Sequence, residues 1–102
     1  MIVLTPDRDG IHKFVAYVPK TGGIVSKVHF GRKGYSDYTK HKDKERMHRY
    51  LSRHRKRENW TRAGRYTAGF WSRWLLWSRP SFRAALKQTE KVLGHRIIFR
   101  AK

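Results

Sequence analysis

The sequence predicts an α+β domain: a small antiparallel β-meander packed against about three short helices, with a short C-terminal strand. Three observations predict it. Apolar residues alternate with period two across the first third, between Gly- and Pro-rich breaks. From Asp43 onward they recur at helical spacing behind residues suited to capping. A last apolar run, Ile97-Ile98-Phe99, stands alone near the end. A chain of 102 residues is expected to form one domain, 1–102, with a core so small that each buried aromatic counts.

The first strand is Ile2 to Leu4, ended by the turn residues Thr5-Pro6-Asp7-Arg8-Asp9-Gly10. His12 to Val18 alternates, with Phe14, Ala16 and Val18 on one face. Pro19-Lys20-Thr21-Gly22-Gly23 breaks the chain again. The run from Ile24 to Phe30 then places Ile24, Val28 and Phe30 on one face and Val25, Lys27 and His29 on the other. The β-rich part is therefore 1–33. A basic helix and loop follow over 40–65. The helix starts near Asp43, with Asp43 or Thr39 as its cap. Met47, Tyr50, Leu51 and His54 form its inward stripe. Thr67 caps a Trp-rich helix over 67–78, stopped by Pro80. Phe70, Trp74 and Trp77 share one of its faces and Trp71 and Leu75 an adjacent one, an apolar arc wide enough to predict burial. Ser81 caps a helix over 81–93 with Phe82, Ala85, Leu86 and Leu93 inward, and Gly94 ends it. The final strand falls within 95–100.

Charge sets the functional expectation. Lys and Arg number 25 against 7 Asp and Glu, a net charge of +18. So much positive charge opposes compaction unless an anion screens it. The aromatic content of 14% is too high for a disordered basic tail. The cations are also uneven: eleven lie between Lys40 and Arg65, with three acids. Burying the stripe of the first helix leaves Lys42, Arg46, Arg49, Arg53, Arg55, Lys56, Arg57 and the loop residue Arg62 as candidate phosphate contacts. The plainer reading is a solvated helix face, but such faces usually alternate in sign, and this one does not. Trp60, in the basic loop, is a base-stacking candidate; Tyr35, Tyr38 and Tyr66 are weaker ones. Trp71, Trp74 and Trp77 read as core.

Little points to catalysis. Cys is absent, which excludes disulfides and thiolate metal sites. No H-E-x-x-H, Walker A, G-x-S-x-G or dinucleotide fingerprint occurs. Asp37, His41, Asp43 and Glu45 are the one acid and His cluster noted along the chain. Capping explains Asp43 and turn formation explains Asp37, so a metal-dependent nuclease using Asp37, His41 and Asp43 stays a weak alternative. Gly31-Arg32-Lys33-Gly34 reads as a phosphate-wrapping loop or, more simply, a β-turn. No catalytic residue, metal or cofactor is expected. The longest apolar runs are Ile2-Val3-Leu4 and Trp74-Leu75-Leu76, so no membrane span and no secretory signal are expected.

The stretches VHFGRKGYSDYTKHKD (28–43) and TAGFWSRWLLWSRP (67–80) carry a resemblance. Over roughly Lys27 to Pro80 the chain resembles a family of small, basic, uncharacterised proteins of large double-stranded DNA viruses, with relatives in some unicellular algae and other protists. The resemblance brings no catalytic residues. It implies a viral setting, in the virion or with the genome, inside the host cytoplasm or nucleus. Together with the charge, it leads to the expectation of a non-enzymatic, largely sequence-non-specific nucleic-acid-binding or genome-packaging protein, with DNA ahead of RNA as partner. The alternative is a structural virion component that bridges an acidic capsid or core protein.

Overall fold

Alternation in the first third produces the expected meander. In this computed structural model, which describes residues 1–101, β1 (Ile2–Pro6), β2 (His12–Pro19) and β3 (Val25–Arg32) pair antiparallel in sequence order. The last strand, β4 (Ile97–Phe99), returns beside β1 and runs parallel to it, Ile2 opposite Ile97, so the sheet order is β3-β2-β1-β4. Leu4, Ala16, Val18, Val28 and Phe30 are all buried on the inner face. Ile24 departs from the expected inward set: it is 63% exposed. It lies in the hairpin connection, one residue before β3 begins, where Gly22 and Gly23 adopt positive φ and its carbonyl accepts the Lys20 N–H.

Two helices form where the caps predict them. In α2 (Lys44–His54) the Asp43 carboxylate accepts the N–H groups of Glu45 and Arg46, and Met47 is buried. A one-turn helix, α1 (Tyr38–His41), precedes it. Asp37 caps α1, and Lys42 ends it at φ 56°. A single turn carries no periodicity, so apolar spacing does not reveal it. In α4 (Phe82–Leu93) Ser81 caps the start, Gly94 ends it at φ 66°, and Ala85, Thr89 and Leu93 are buried.

The Trp-rich segment is not the regular 67–78 helix of the sequence reading. Thr67 caps it as expected, but α3 is α-helical only over Ala68–Trp71 and then widens to π winding over Ser72–Leu76. It ends there, ahead of Pro80. Phe70 and Trp71 from the α-helical turn and Leu75 and Leu76 from the wider winding all enter the core, while Trp74 and Trp77 stay half-buried at its margin. Trp71 stacks on Phe30 at 5.8 Å, which ties α3 to the sheet. Phe14 lies between Phe30 and Phe82, at 5.8 and 5.4 Å, which ties the sheet to α4.

Helix α2 is held to this body by two links. Tyr50 stacks flat on Trp77, 4.2 Å away with 4° between the rings. Beyond its C-terminus, Glu58 accepts the Trp60 indole N–H at 2.8 Å and pairs with His54 at 3.0 Å. Glu58 lies against Gly69, where a Cβ would come within 2.6 Å of its carboxyl carbon, so a side chain there would displace the Glu58 carboxylate from this link. The Trp-rich segment thus joins sheet and basic helix. Between α2 and the ends of β2 and β3 a groove remains.

Candidate nucleic-acid interface

The groove has a volume of about 520 Å³. Arg46 and Arg53 line it from α2, and Lys13 and Arg32 line it from β2 and β3. On a helix, residues 46, 49 and 53 fall on one flank, so Arg49 continues the same cationic strip. All three arginines are exposed. Arg49 approaches Glu45 at 3.8 Å across solvent, a contact worth little. Tyr35 stands at the groove, 65% exposed, with the Arg32 guanidinium 5.7 Å over its ring. A groove of this kind offers forked phosphate donors along one wall and an open aromatic face beside them.

The other expected contacts divide. Arg55, Lys56 and Arg57 are exposed in the turn after α2 but do not line the groove. Lys42 is taken up internally: its Nζ donates to the Pro80 and Thr39 carbonyls at 2.5 and 3.2 Å. Arg62 borders a different hollow, together with Arg65 and His95. Trp60 is also committed. Its N–H is bonded to Glu58, its carbonyl accepts the Trp74 indole N–H, and Arg73 stacks on its ring at 5.1 Å. Arg73 lies 4.1 Å over Trp74 as well, and burial lowers its pKa. This cation locks two indoles together, which leaves Tyr35 as the free aromatic at the groove.

The Gly31–Gly34 stretch is a β-turn, closed by the Tyr35 N–H on the Arg32 carbonyl at 3.2 Å. Gly31 has φ +73°, and a Cβ there would lie 2.9 Å from Leu76, so glycine lets α3 approach the sheet. The groove residue Lys13 carries no sequence signal because it is an isolated cation in a strand, and Arg32 stands out only as part of the Gly31–Gly34 turn. Only the sheet register sets them opposite α2.

Asp37, His41 and Asp43 do not converge as a metal triad. Asp37, 2% exposed, accepts the Lys13 ammonium and the Thr39 hydroxyl, each at 2.5 Å, and the Thr39 N–H at 3.0 Å. Asp43 caps α2. His41 accepts the Asp43 N–H on Nδ1, stacks near Trp77 at 5.3 Å, and buries an unpartnered Nε2. Burial, reinforced by Arg46, lowers the His41 pKa. The unfolded chain therefore takes up a proton at this position first as pH falls below about 6.5. Stability attached to the neutral ring is present above that value and is lost as pH falls towards the depressed folded pKa. In thermal melts, wild type should lose more between pH 7 and pH 5 than His41→Asn, which keeps an acceptor for the Asp43 N–H. Equal losses would remove His41 as the cause.

A second cluster converges where the sequence reading saw only a turn and a strand. Asp7, Asp9, His12 and His29 bring one ligand atom each to within 4.8 Å of one another. His12 and His29 also line the groove. The His12 backbone N–H, followed by its ring, holds the Asp9 carboxyl well below the usual carboxylate range.

A family model described as a family of unknown function matches residues 2–54. The match begins before the stretch that carries the viral resemblance and ends with α2, so it contains the four groove cations and the Asp and His cluster but not α3. No curated protein and no solved structure matches the chain. Among the described residues no helix is long and apolar enough to cross a membrane.

Proposed function

We propose that this chain, which belongs to the DUF5754 family of unknown function, binds nucleic acid without catalysis and with little sequence preference. The observation that carries the reading is the cation-lined groove: Arg46 and Arg53 on one wall face Lys13 and Arg32 on the other. Lys13 is matched by Asp37, so the two α2 arginines and Arg32 supply the uncompensated charge. Phosphates entering the groove would release condensed counterions, which favours binding at low salt. Arg forks fix phosphates but read no bases, so weak sequence preference follows. The setting in this reading is the genome or particle of a large DNA virus, with duplex DNA as the first partner.

The test is fluorescence anisotropy of a labelled duplex against salt. The expected result is tight binding at low salt, a linear fall of log affinity with log salt, and similar affinity for duplexes of unrelated sequence. Absence of binding at low salt would overturn the reading and leave the bridging of an acidic virion protein as the better use of the same charge. Plasmid incubated with the protein and Mg²⁺ or Mn²⁺ should stay intact.

A further inference from the structure

We infer that Asp7, Asp9, His12 and His29 form a site for a divalent transition-metal ion, with Zn²⁺ as the best fit. The site is built by the β1–β2 connection, which supplies Asp7 and Asp9, by the start of β2, which supplies His12, and by β3, which supplies His29. Sequence-distant elements thus meet at one point.

The inner geometry is that of a prepared ligand set. One oxygen of each carboxylate is fixed by the backbone: Asp7 Oδ1 accepts the Asp9 N–H at 3.1 Å, and Asp9 Oδ1 accepts the Ile11 and His12 N–H groups at 2.8 Å each. Both Oδ2 atoms are thereby turned to the imidazoles. Asp9 Oδ2 lies 2.6 Å from His12 Nδ1 and 3.8 Å from His29 Nδ1, and Asp7 Oδ2 is bonded to His29 Nδ1. Such backbone bonds to the non-ligating oxygen are how metal sites orient their carboxylates. Tetrahedral coordination with bonds of about 2.0–2.1 Å requires ligand atoms about 3.3 Å apart. The four atoms lie within 4.8 Å of one another, with separations of 2.6 and 3.8 Å on either side of that value, so side-chain rotation would close the set on an ion. Two imidazole nitrogens and two carboxylate oxygens suit Zn²⁺ better than Mg²⁺ or Ca²⁺, which prefer oxygen alone.

The charge pattern points the same way. The chain has 25 Lys and Arg for 7 acids, yet the ion-pair partners of Asp7 and Asp9 among the described residues are His side chains alone. Asp7 is 7% exposed, and its carboxylate shares a corner with a second one. Two carboxylates held together without Lys or Arg are a poor use of scarce acids in an ordinary surface staple. They are the right donors for a dication, which would displace the protons now shared with the imidazoles.

The site is independent of the nucleic-acid reading, and its test uses metal alone. The protein, stripped with chelator, is titrated with Zn²⁺ by calorimetry and with Co²⁺ by visible absorption. One equivalent should bind, and Co²⁺ should give the intense bands of four-coordination. His12→Asn and His29→Asn should each weaken Zn²⁺ by about 100-fold or more, since even outer-shell changes cost 10–100-fold. His48→Asn, exposed on α2, should not. Should either ligand variant fail to fold, histidine ring ¹⁵N shifts in wild type decide: Zn²⁺ must move His12 and His29 and leave His48 in place. Lack of stoichiometric binding, binding that survives in both ligand variants, or shifts confined to other histidines would each overturn the site.

Discussion

Asp37→Ala is expected to cost about 3–5 kcal/mol, the usual result of removing one partner from a buried ion pair. The side chains of Lys13 and Asp37 are 10% and 2% exposed, and their contact of 2.5 Å joins β2 to the start of α1. Removing the carboxylate strands the ammonium in the wall of the groove. It also removes the cap of α1, because Asp37 Oδ1 accepts both the N–H and the hydroxyl of Thr39. For a domain of this size, total stability is on the order of 5–15 kcal/mol, so the loss consumes a large part of it. A fall in Tm of roughly 15–30 °C should follow. The pair Lys13→Met with Asp37→Asn separates the causes. It removes both charges but keeps an acceptor for Thr39, so it should recover most of the loss. If Asp37→Ala melts like wild type, the ion pair is not a structural anchor, and a functional use of the carboxylate regains ground. Urea denaturation at constant salt checks the same order of stability.

The features legible in the sequence are those that depend on neighbours along the chain. Asp43, Thr67, Ser81 and Gly94 cap or end helices in the structure as their positions predict, because a cap is decided within three or four residues. Alternation identified the inner face of the sheet because a strand has only two sides. The features that stayed hidden are pairings across sequence. Lys13 reaches Asp37 over 24 residues, and His29 reaches Asp7 over 22. Nothing in the local pattern of Lys13 or His29 marks it as different from any other polar strand residue. The π winding of α3 was hidden for a related reason. It serves two surfaces at once, a core that takes Leu75 and Leu76 and a Tyr50 ring that takes Trp77, and neither is encoded in local spacing. Composition likewise identified the 40–65 stretch as cationic but could not separate Arg46 and Arg53, which enter the groove, from Lys42, whose ammonium is spent on Pro80.

That separation defines the second large effect. Arg46→Gln, Arg49→Gln and Arg53→Gln together should reduce the slope of log affinity against log salt by about 2.7, since each phosphate contact contributes about 0.9. At 0.1 M salt the same arithmetic lowers affinity by roughly 100-fold or more. Net charge alone would predict something different, and Arg83→Gln, Lys87→Gln and Lys91→Gln measure it. This control also removes three charges from a net +18, but from exposed positions on α4, which does not line the groove. Long-range attraction weakens in both variants and is screened within about 10 Å at this salt, so the control should keep most of the wild-type slope. Neither set touches the buried stripe of its helix, and circular dichroism should show both folded. Equal slopes in the two triple variants would mean that the polyanion responds to total charge and not to the strip along α2. A slope unchanged in the α2 variant, with the α4 variant impaired, would move the contact surface to the opposite element.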